Sequence, residues 1–301
     1  MRNCRIILVK VADILCKPFY KCLFFFPFCV KIGKHPFYKQ VQFLHFRVTK
    51  KYRNQDEIVK VKLSNICNYS LVINAGKDFH QMHLLMAGYY EKNILENLLE
   101  DLASAEIFID AGAYIGYHSL MVSSAFPNVQ VYAFEPQKEA FKILQKNISL
   151  NDKHITVNNC ALGSLNEDKQ LNVNKYPEQS SLLISDLQIT DNYIVPVKRL
   201  DDLLDLKSRH IVVKIDTEGF EFEVLKGMSK IIENNNCVIY FEYNPRIYQQ
   251  QFGEEYSLSL FQFLQEKGYK IFKIEAKGKN KEVFFNSQNL IQRNLMARKI
   301  I

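Results

Sequence analysis

From about residue 105 onward, short apolar runs alternate with stretches in which apolar side chains recur at helical spacing. Helices between consecutive strands imply right-handed crossovers and a mostly parallel sheet, and a hairpin near the carboxyl end adds an antiparallel edge. The predicted strands are Ile107–Ile109, Val129–Phe134, Ile155–Asn159, Ile211–Ile215, Cys237–Glu242, Lys270–Ile274 and Glu282–Phe285. The predicted helices are Met82–Ala103 with a break near Gly88, Tyr117–Ser124, Gln137–Leu150, Phe220–Ile232 and Leu258–Gly268.

Residues 35–80 carry a two-residue alternation instead, which predicts the strands Val41–Val48, Ile58–Leu63 and Ser70–Ile73 of a small accessory sheet. The segment 166–194 is looser, with a short alternation near Leu171. We therefore predict an amino-terminal region over 1–87 and an α/β domain over 88–301.

Residues 1–34 combine apolar stretches with basic residues, and Asp13 is the one acid before position 55. No run is long enough to span a membrane, and Lys10 and Asp13 interrupt the core that a signal peptide would need. The segment is compatible with an interfacial helix in peripheral contact with a membrane. An amphipathic helix packed on the main domain explains the same pattern.

The composition fits a globular protein, because 48% of the 301 residues are hydrophobic and 24% are charged. Seven cysteines without CxxC or zinc-like spacing favour reduced thiols and a cytoplasmic protein, on the inner face of a membrane if residues 1–34 bind one. The net charge of +7 suggests contact with a membrane surface or nucleic acid, or a solvated basic face.

The first candidate site is the run Asp110–Gly116, which follows a predicted strand, together with Glu135 at the end of the next strand. The run lacks the G-x-G-x-x-G of dinucleotide folds, and a carboxylate at its start would repel a diphosphate. It suits S-adenosylmethionine, which carries an ammonium group and no phosphate. Glu135 has the position of an acid that accepts hydrogen bonds from ribose hydroxyls. Alternatively, Asp110 caps the next helix and the glycines only turn the chain.

The second candidate site is Lys214–Glu221, which begins in the strongest predicted strand. Ligands bind at the carboxyl ends of strands in open α/β sheets, so Asp216 should meet Asp110 and Glu135 in one crevice. Two acids, Asp216 and Glu218, could stabilise the positive end of the cofactor and orient or deprotonate an acceptor hydroxyl.

Each of these residues also has a structural interpretation. Glu218 and Glu221 could be first-turn acids of the next helix. Lys214 could pair with Glu242 or Glu221, and whether a metal joins Asp216 and Glu242 is left open. His118 could shuttle a proton or be a polar surface residue.

The chain resembles the FkbM-type methyltransferases over roughly residues 90–245. The matching segments are Phe108–Leu120, Tyr132–Pro136, Leu144–Ile148, Cys160–Gly163, Val197–Leu203 and Lys214–Glu221. The resemblance implies a seven-stranded Rossmann-like fold, S-adenosylmethionine as methyl donor, and O-methylation of small molecules or sugars. It also implies that Val157–Ala161 lies under the adenine. Tyr114 and Thr217 replace the usual asparagine and valine of the family.

The expected function is O-methylation of a hydroxyl on a small molecule, a sugar or a glycan- or lipid-linked acceptor. A non-catalytic cofactor-binding or anion-binding module is one alternative. A nucleic-acid methyltransferase is another, disfavoured because the strand-four motif is Asp216-Thr-Glu218 and not a Pro-Pro-Tyr type. Expected cofactor contacts are Asp110, Gly112, Ala113, Gly116, Glu135, Pro136, Asn159, Cys160 and Asp216. Expected catalytic residues are Asp216, Glu218 and His118, and no metal ligands are assigned.

Overall fold

A computed structural model describes most of the chain carboxyl-terminal to residue 55. The described residues are 56–63, 66–74, 78–174, 179–183, 189–276, 279–284 and 293–299. The predicted strand Val41–Val48 and the amino-terminal helix of residues 1–34 lie outside them. The chain forms two compact units, one of residues 1–91 with 176–178 and one of 92–175 with 179–301, where the sequence predicted a boundary at 87/88.

The first unit contains the predicted strands Ile58–Leu63 and Ser70–Ile73 as β1 (Glu57–Leu63) and β2 (Cys67–Ile73), which pair antiparallel. Helix α1 (Phe79–Ala87) follows, and the carboxylate of Asp78 caps it by accepting hydrogen bonds from the backbone N–H groups of His80 and Gln81. Among the described residues of this unit, this hairpin and helix make up the regular structure.

The predicted helix Met82–Ala103 is two helices. Gly88 ends α1 in a left-handed conformation, and its N–H bonds the Leu84 carbonyl. Helix α2 starts afresh at Lys92 and belongs to the second unit. The predicted break near Gly88 is therefore a helix end and not a kink.

The second unit is built on an eight-stranded sheet of order β12-β11-β13-β10-β9-β3-β4-β5. The five strands from β10 to β5 are parallel, and β11, β12 and β13 are antiparallel. The strands are β3 (Ile107–Ala111), β4 (Gln130–Phe134), β5 (Ile155–Asn158), β9 (His210–Ile215), β10 (Asn236–Tyr243), β11 (Tyr269–Lys273), β12 (Lys281–Glu282) and β13 (Arg293–Lys299).

This sheet confirms the Rossmann-like α/β fold, with seven strands and a two-residue eighth, β12, at the edge. The predicted closing hairpin exists as β11 and β12, but it does not join the parallel part of the sheet directly. Strand β13, which the sequence analysis missed, lies between β10 and β11. Its sequence Arg293–Lys299 is short and mixes charged and apolar residues, so its alternation is weak.

Helices connect the strands and cover the sheet. They are α2 (Lys92–Leu102), α3 (Tyr117–Ala125), α4 (Lys138–Asn151), α5 (Leu200–Leu203), α6 (Glu221–Gly227), α7 (Ser229–Asn234), α8 (Pro245–Phe252) and α9 (Glu254–Glu266). The predicted helix Phe220–Ile232 is divided into α6 and α7 at Met228, where φ is −116°. Helix α8 was missed, since it has only eight residues and three consecutive glutamines leave it with few apolar positions.

A second, three-stranded sheet of order β6-β8-β7 covers the region that the sequence analysis left loose. Its strands are β6 (Ala161–Leu162), β7 (Glu167–Asn174) and β8 (Ile189–Lys198). Most of β8 is exposed, and only Val195 and Val197 are buried, so the strand shows little hydrophobic alternation.

No helix in the described part of the chain has the length and apolar content to cross a membrane.

Candidate functional site

Asp110 stands at the carboxyl end of β3, in which every residue is buried. Its carboxylate is 1% exposed, and Oδ2 accepts a hydrogen bond of 2.6 Å from the Ser119 hydroxyl on α3. Oδ1 has no hydrogen-bond partner among the described residues. Burial raises the pKa of Asp110, while the Lys214 ammonium group opposes that rise. The N-cap residue of α3 is Gly116, which makes no side-chain cap hydrogen bond, so capping does not account for the Oδ1 oxygen of Asp110.

The glycine turn after Asp110 brings two strand ends together. Gly112 has a φ of 84°, and a β-carbon on it would overlap the backbone carbonyl oxygen of Asp216. The N–H groups of Gly112 and Ala113 each donate a 3.0 Å hydrogen bond to the Phe134 carbonyl, which ties the turn to the end of β4. At Gly116 a β-carbon would press on the Leu144 side chain of α4. These contacts explain why glycine occupies positions 112 and 116.

Glu135, directly after β4, is 6% exposed and faces this turn. Its Oε2 accepts a hydrogen bond of 2.8 Å from the Tyr114 N–H, and its Oε1 one of 2.7 Å from the Gln137 N–H. Burial raises the pKa of Glu135 to about 7, because the cost of desolvation outweighs the two backbone hydrogen bonds. Each carboxylate oxygen keeps a further lone pair that can accept a ligand hydroxyl.

Asn159 and Cys160 follow β5, on the side where the resemblance places the adenine. The Asn159 side chain is exposed, and its amide donates to the carbonyl groups of Glu135 and Pro136 at 2.8 and 3.3 Å. Cys160 is buried in the main core, and burial raises the pKa of its thiol to about 11. An inert thiol of this kind offers packing and not chemistry.

Lys214 and Asp216 lie at the carboxyl end of β9, beside β3. Lys214 is 4% exposed and is the register partner of Asp110 in the parallel pair β3–β9. Its ammonium Nζ lies 2.7 Å from Asp216 Oδ2. This buried cation is therefore paired with Asp216, and it also opposes the rise in the pKa of Asp110, so it reduces the repulsion between the two carboxylates.

Asp216, Glu218 and Glu242 bring their carboxylates together at the ends of β9 and β10. One oxygen from each lies within 4.8 Å of the others, and each residue is partly exposed. Carboxylates so close could hold a cation, and they are the one such set among the described residues. A small pocket beside them is lined by Glu242, Asn294, Ile94 and Ile274.

His118 lies on α3, where the sequence analysis left a choice between a proton shuttle and a polar surface residue. The surface interpretation is wrong, because the side chain is 6% exposed. Burial, and next the nearby Lys214, hold the pKa of His118 well below its usual value. The imidazole is therefore neutral, and its catalytic role stays a prediction.

Glu221 is a further buried carboxylate at the site. The sequence suggested a first-turn acid, and α6 does begin at Glu221. However, its Oε1 accepts hydrogen bonds from the N–H groups of Thr217 and Gly219, and its Oε2 accepts one from the Tyr248 hydroxyl. The side chain thus binds the turn that carries Asp216 and Glu218, a role that spacing alone does not indicate.

The segment 179–183 contacts both halves of the site, a role that the sequence analysis missed. The Gln137 amide donates a 2.9 Å hydrogen bond to the Ser180 hydroxyl. The Ser181 hydroxyl donates a 2.8 Å hydrogen bond to the Glu218 carbonyl. Ser180 therefore contacts Gln137, two residues after Glu135, and Ser181 contacts the turn that carries Glu218.

The matching family and the curated relatives named below are methyltransferases. The family described as the methyltransferase FkbM domain matches residues 110–271. "Methyltransferase 1" of Beauveria bassiana is 32% identical over 145 residues, which cover 40% of this chain and 57% of that protein. "Hexuronic acid methyltransferase AglP" of Haloferax volcanii is 26% identical over 151 residues, covering 50% of this chain and 61% of that protein.

A solved structure, the methyltransferase FkbM of Methylobacillus flagellatus, matches 86% of this chain and 60% of its own. Its sequence identity is 15% and the TM-score is 0.39. The match to the family contains the glycine turn, Glu135 and the Asp216 turn, and it ends in β11. Since residues 110–271 make up more than half of the 301 residues, the chain belongs to the FkbM methyltransferase family.

Proposed function

We propose that the chain is an S-adenosylmethionine-dependent O-methyltransferase that acts on a hydroxyl of a small molecule, a sugar or a glycan- or lipid-linked acceptor. The observation that carries the proposal is the buried Asp110 Oδ1, which lacks a hydrogen-bond partner among the described residues at the start of the glycine turn. A buried acceptor left unsatisfied costs about 1–3 kcal/mol. The ammonium group of a bound cofactor would remove this cost.

The residues at the strand ends fit this cofactor chemically. Glu135 keeps lone pairs for two ribose hydroxyls. At Gly112 the surface next to the proposed ligand is backbone and not side chain, because only glycine fits against the Asp216 carbonyl. Ala113, Gly116, Pro136, Asn159 and Cys160 complete the proposed binding residues. When bound, S-adenosylmethionine supplies a methyl group on a sulfonium, which an acceptor oxygen can displace in line.

Asp216 and Glu218 are the proposed catalytic acids at the transfer end. The Asp216 carboxylate is held by Lys214 at 2.7 Å, which favours its ionised form beside a positive ligand. Glu218 would orient the acceptor hydroxyl and take its proton as the oxygen–carbon bond forms. Positioning supplies most of the rate in such a displacement, and the base adds to it.

The charge at the transfer end also bears on the acceptor. Asp216, Glu218 and Glu242 contribute three carboxylates within 4.8 Å, and Lys214 places an ammonium group beside Asp216. Like charges in a partly desolvated site repel an anionic group by several kcal/mol. We therefore favour a neutral polyhydroxyl or an amino-bearing acceptor over a carboxylate or phosphate ester.

Two measurements test the proposal. Isothermal titration with S-adenosylhomocysteine should give binding, and its absence at high micromolar concentration would reject the cofactor. Transfer of a radiolabelled methyl group should then be followed into a panel of methyl hexosides, methyl hexosaminides and methyl hexuronides, and into lipid and RNA fractions. Transfer to RNA alone would favour the nucleic-acid alternative, and binding without transfer to any fraction would favour a non-catalytic module.

A further inference from the structure

We propose that Glu221 and Tyr248 form a positioning pair that holds the turn Asp216–Gly219 and thereby orients the acids at the transfer end. The inference rests on the proposed function, because it takes Asp216 and Glu218 as the catalytic acids. Glu221 and Tyr248 themselves are 1% and 0% exposed. They would act through the turn and not by touching a ligand.

The Glu221 carboxylate accepts hydrogen bonds from two residues of the turn, Thr217 and Gly219. Its Oε1 lies 3.0 Å from the Thr217 N, 3.1 Å from the Gly219 N and 3.2 Å from the Thr217 hydroxyl. Burial raises the pKa of Glu221, and the hydrogen bonds to the carboxylate oppose that rise. Hydrogen bonds to a buried carboxylate are stronger than those between neutral groups, so this one side chain dominates the geometry of the turn.

The turn needs such support because its backbone is strained. Glu218 has a φ of 53° and Gly219 one of 100°, so two consecutive residues are left-handed. A non-glycine residue in this region persists only where its surroundings enforce it. The Glu218 carboxylate points from this strained position, and a change in the turn would move it relative to Asp216.

Tyr248 completes the pair from α8. Its hydroxyl donates to Glu221 Oε2, and its pKa is raised well above the usual value by burial and by the Glu221 charge. The neighbouring Ile247 packs where a β-carbon on Gly219 would stand. Helix α8 starts two residues after the end of β10, which carries Glu242. The pair therefore connects the turn after β9 to the end of β10.

The chain offers a matched control two residues further along α6. The Tyr256 hydroxyl donates to Glu223, the second acid of α6, just as Tyr248 donates to Glu221. Glu223 also binds the Ser164 hydroxyl and Lys226, neither of which belongs to the 216–219 turn. Tyr248→Phe and Tyr256→Phe thus remove the same kind of hydrogen bond, one at the turn and one beside it.

The test compares the two variants in three measurements on the full chain. These are amide hydrogen exchange at Thr217 and Gly219, the dissociation constant of S-adenosylhomocysteine, and kcat and KM for the best acceptor of the panel above. We expect Tyr248→Phe to speed exchange and lower kcat at least tenfold, with the dissociation constant within twofold. Tyr256→Phe should leave all three within twofold. Glu221→Gln, which keeps the size of the side chain, serves if Tyr248→Phe does not fold.

The inference is wrong if exchange at Thr217 and Gly219 is unchanged in Tyr248→Phe, or if both variants lower kcat alike. A loss of kcat and of cofactor affinity together would mean general damage to the site and would also overturn it. These outcomes are separate from failure of the proposed function. If the proposed function is wrong, the unmodified chain itself binds no S-adenosylhomocysteine or transfers no methyl group. Amide exchange then still decides whether Glu221 and Tyr248 hold the turn.

Discussion

The backbone carbonyl of Asp216 lies so close to Gly112 that a β-carbon on residue 112 would overlap its oxygen. This contact joins the turn after β3 to the turn after β9, backbone against backbone. Asp216 N–H also donates a 2.9 Å hydrogen bond to the Ala111 carbonyl. The backbone of the proposed binding turn is therefore in direct contact with the backbone of the proposed transfer end.

Gly112→Ala should destabilise the fold far more than Gly268→Ala. Both glycines have positive φ, 84° and 80°, but a β-carbon on Gly268 meets nothing within 4 Å. The conformational cost is about 1–2 kcal/mol at either site, and only residue 112 adds a clash with backbone. We expect a loss of about 3 kcal/mol or more in the free energy of unfolding for Gly112→Ala, measured with urea. Equal losses in the two variants would contradict the close approach.

Glu135→Ala and Asp216→Asn should separate binding from turnover. Glu135 is proposed to accept the ribose hydroxyls, and hydrogen bonds to a charged group contribute about 1.5–3 kcal/mol, so the affinity for S-adenosylhomocysteine should fall at least tenfold. Asp216→Asn keeps the shape near Lys214 and removes the charge, so kcat should fall while that affinity changes little. Titration calorimetry and the methyl-transfer assay measure the two effects. Wild-type affinity and turnover in both variants would mean that the site is misplaced.

Cofactor affinity should fall as the pH drops through about 7. Burial raises the pKa of Glu135 to about 7, and the nearby Asp110 and Asp216 charges add to the rise. Hydroxyl donors favour the ionised carboxylate, so binding lowers the pKa of Glu135 and releases a proton. If only the ionised form binds, the dissociation constant of S-adenosylhomocysteine should be about tenfold higher at pH 6 than at pH 8.

Glu135→Gln provides the control for this pH dependence, because it removes the titrating group and keeps the side-chain volume. Its affinity should vary little over the same range. Proton release near pH 7, measured by calorimetry in buffers with different ionisation enthalpies, should disappear in this variant. A pH dependence that survives in Glu135→Gln would belong to another group, and Asp110 would be the next candidate, since burial raises its pKa too.

Methyl transfer should survive treatment with EDTA. Asp216, Glu218 and Glu242 lie close enough to hold a cation, but Lys214 already places an ammonium group 2.7 Å from Asp216. That charge does part of what a metal would do and repels a divalent ion. We expect turnover within twofold after dialysis against EDTA. Loss of turnover that Mg²⁺ or Mn²⁺ restores would make the three acids a metal site instead.

The sequence predicted most clearly the strands that are mainly apolar. Strands β3, β9 and β10 are buried at nearly every residue and β4 at three of five, so their composition indicates them. Strand β13 and the hairpin of β7 and β8 were missed. Strands β7 and β8 carry exposed polar residues, and β13 is short and mixed in composition. Pairing over long sequence distances stabilises these strands, and local periodicity does not report that pairing.

The candidate site was predicted where its residues are close in sequence to strand ends. Asp110 lies at the end of β3 and Asp216 directly follows β9. These two strands pair with each other, so strand order alone brings the two residues together. Glu221 and the serine pair at 180–181 act through backbone groups of a turn, and such contacts depend on the path of the loop. No pattern of residue types in one sequence reports that path.

Every proposed role at the strand ends depends on where the cofactor lies, and a crystal structure with S-adenosylhomocysteine shows this directly. We predict ribose hydroxyl oxygens about 3 Å from the Glu135 carboxylate, the amino group on the side of Asp110, and the sulfur facing Asp216. S-adenosylhomocysteine bound away from the ends of β3, β4 and β9, or its absence from crystals soaked at millimolar concentration, would contradict the proposed site.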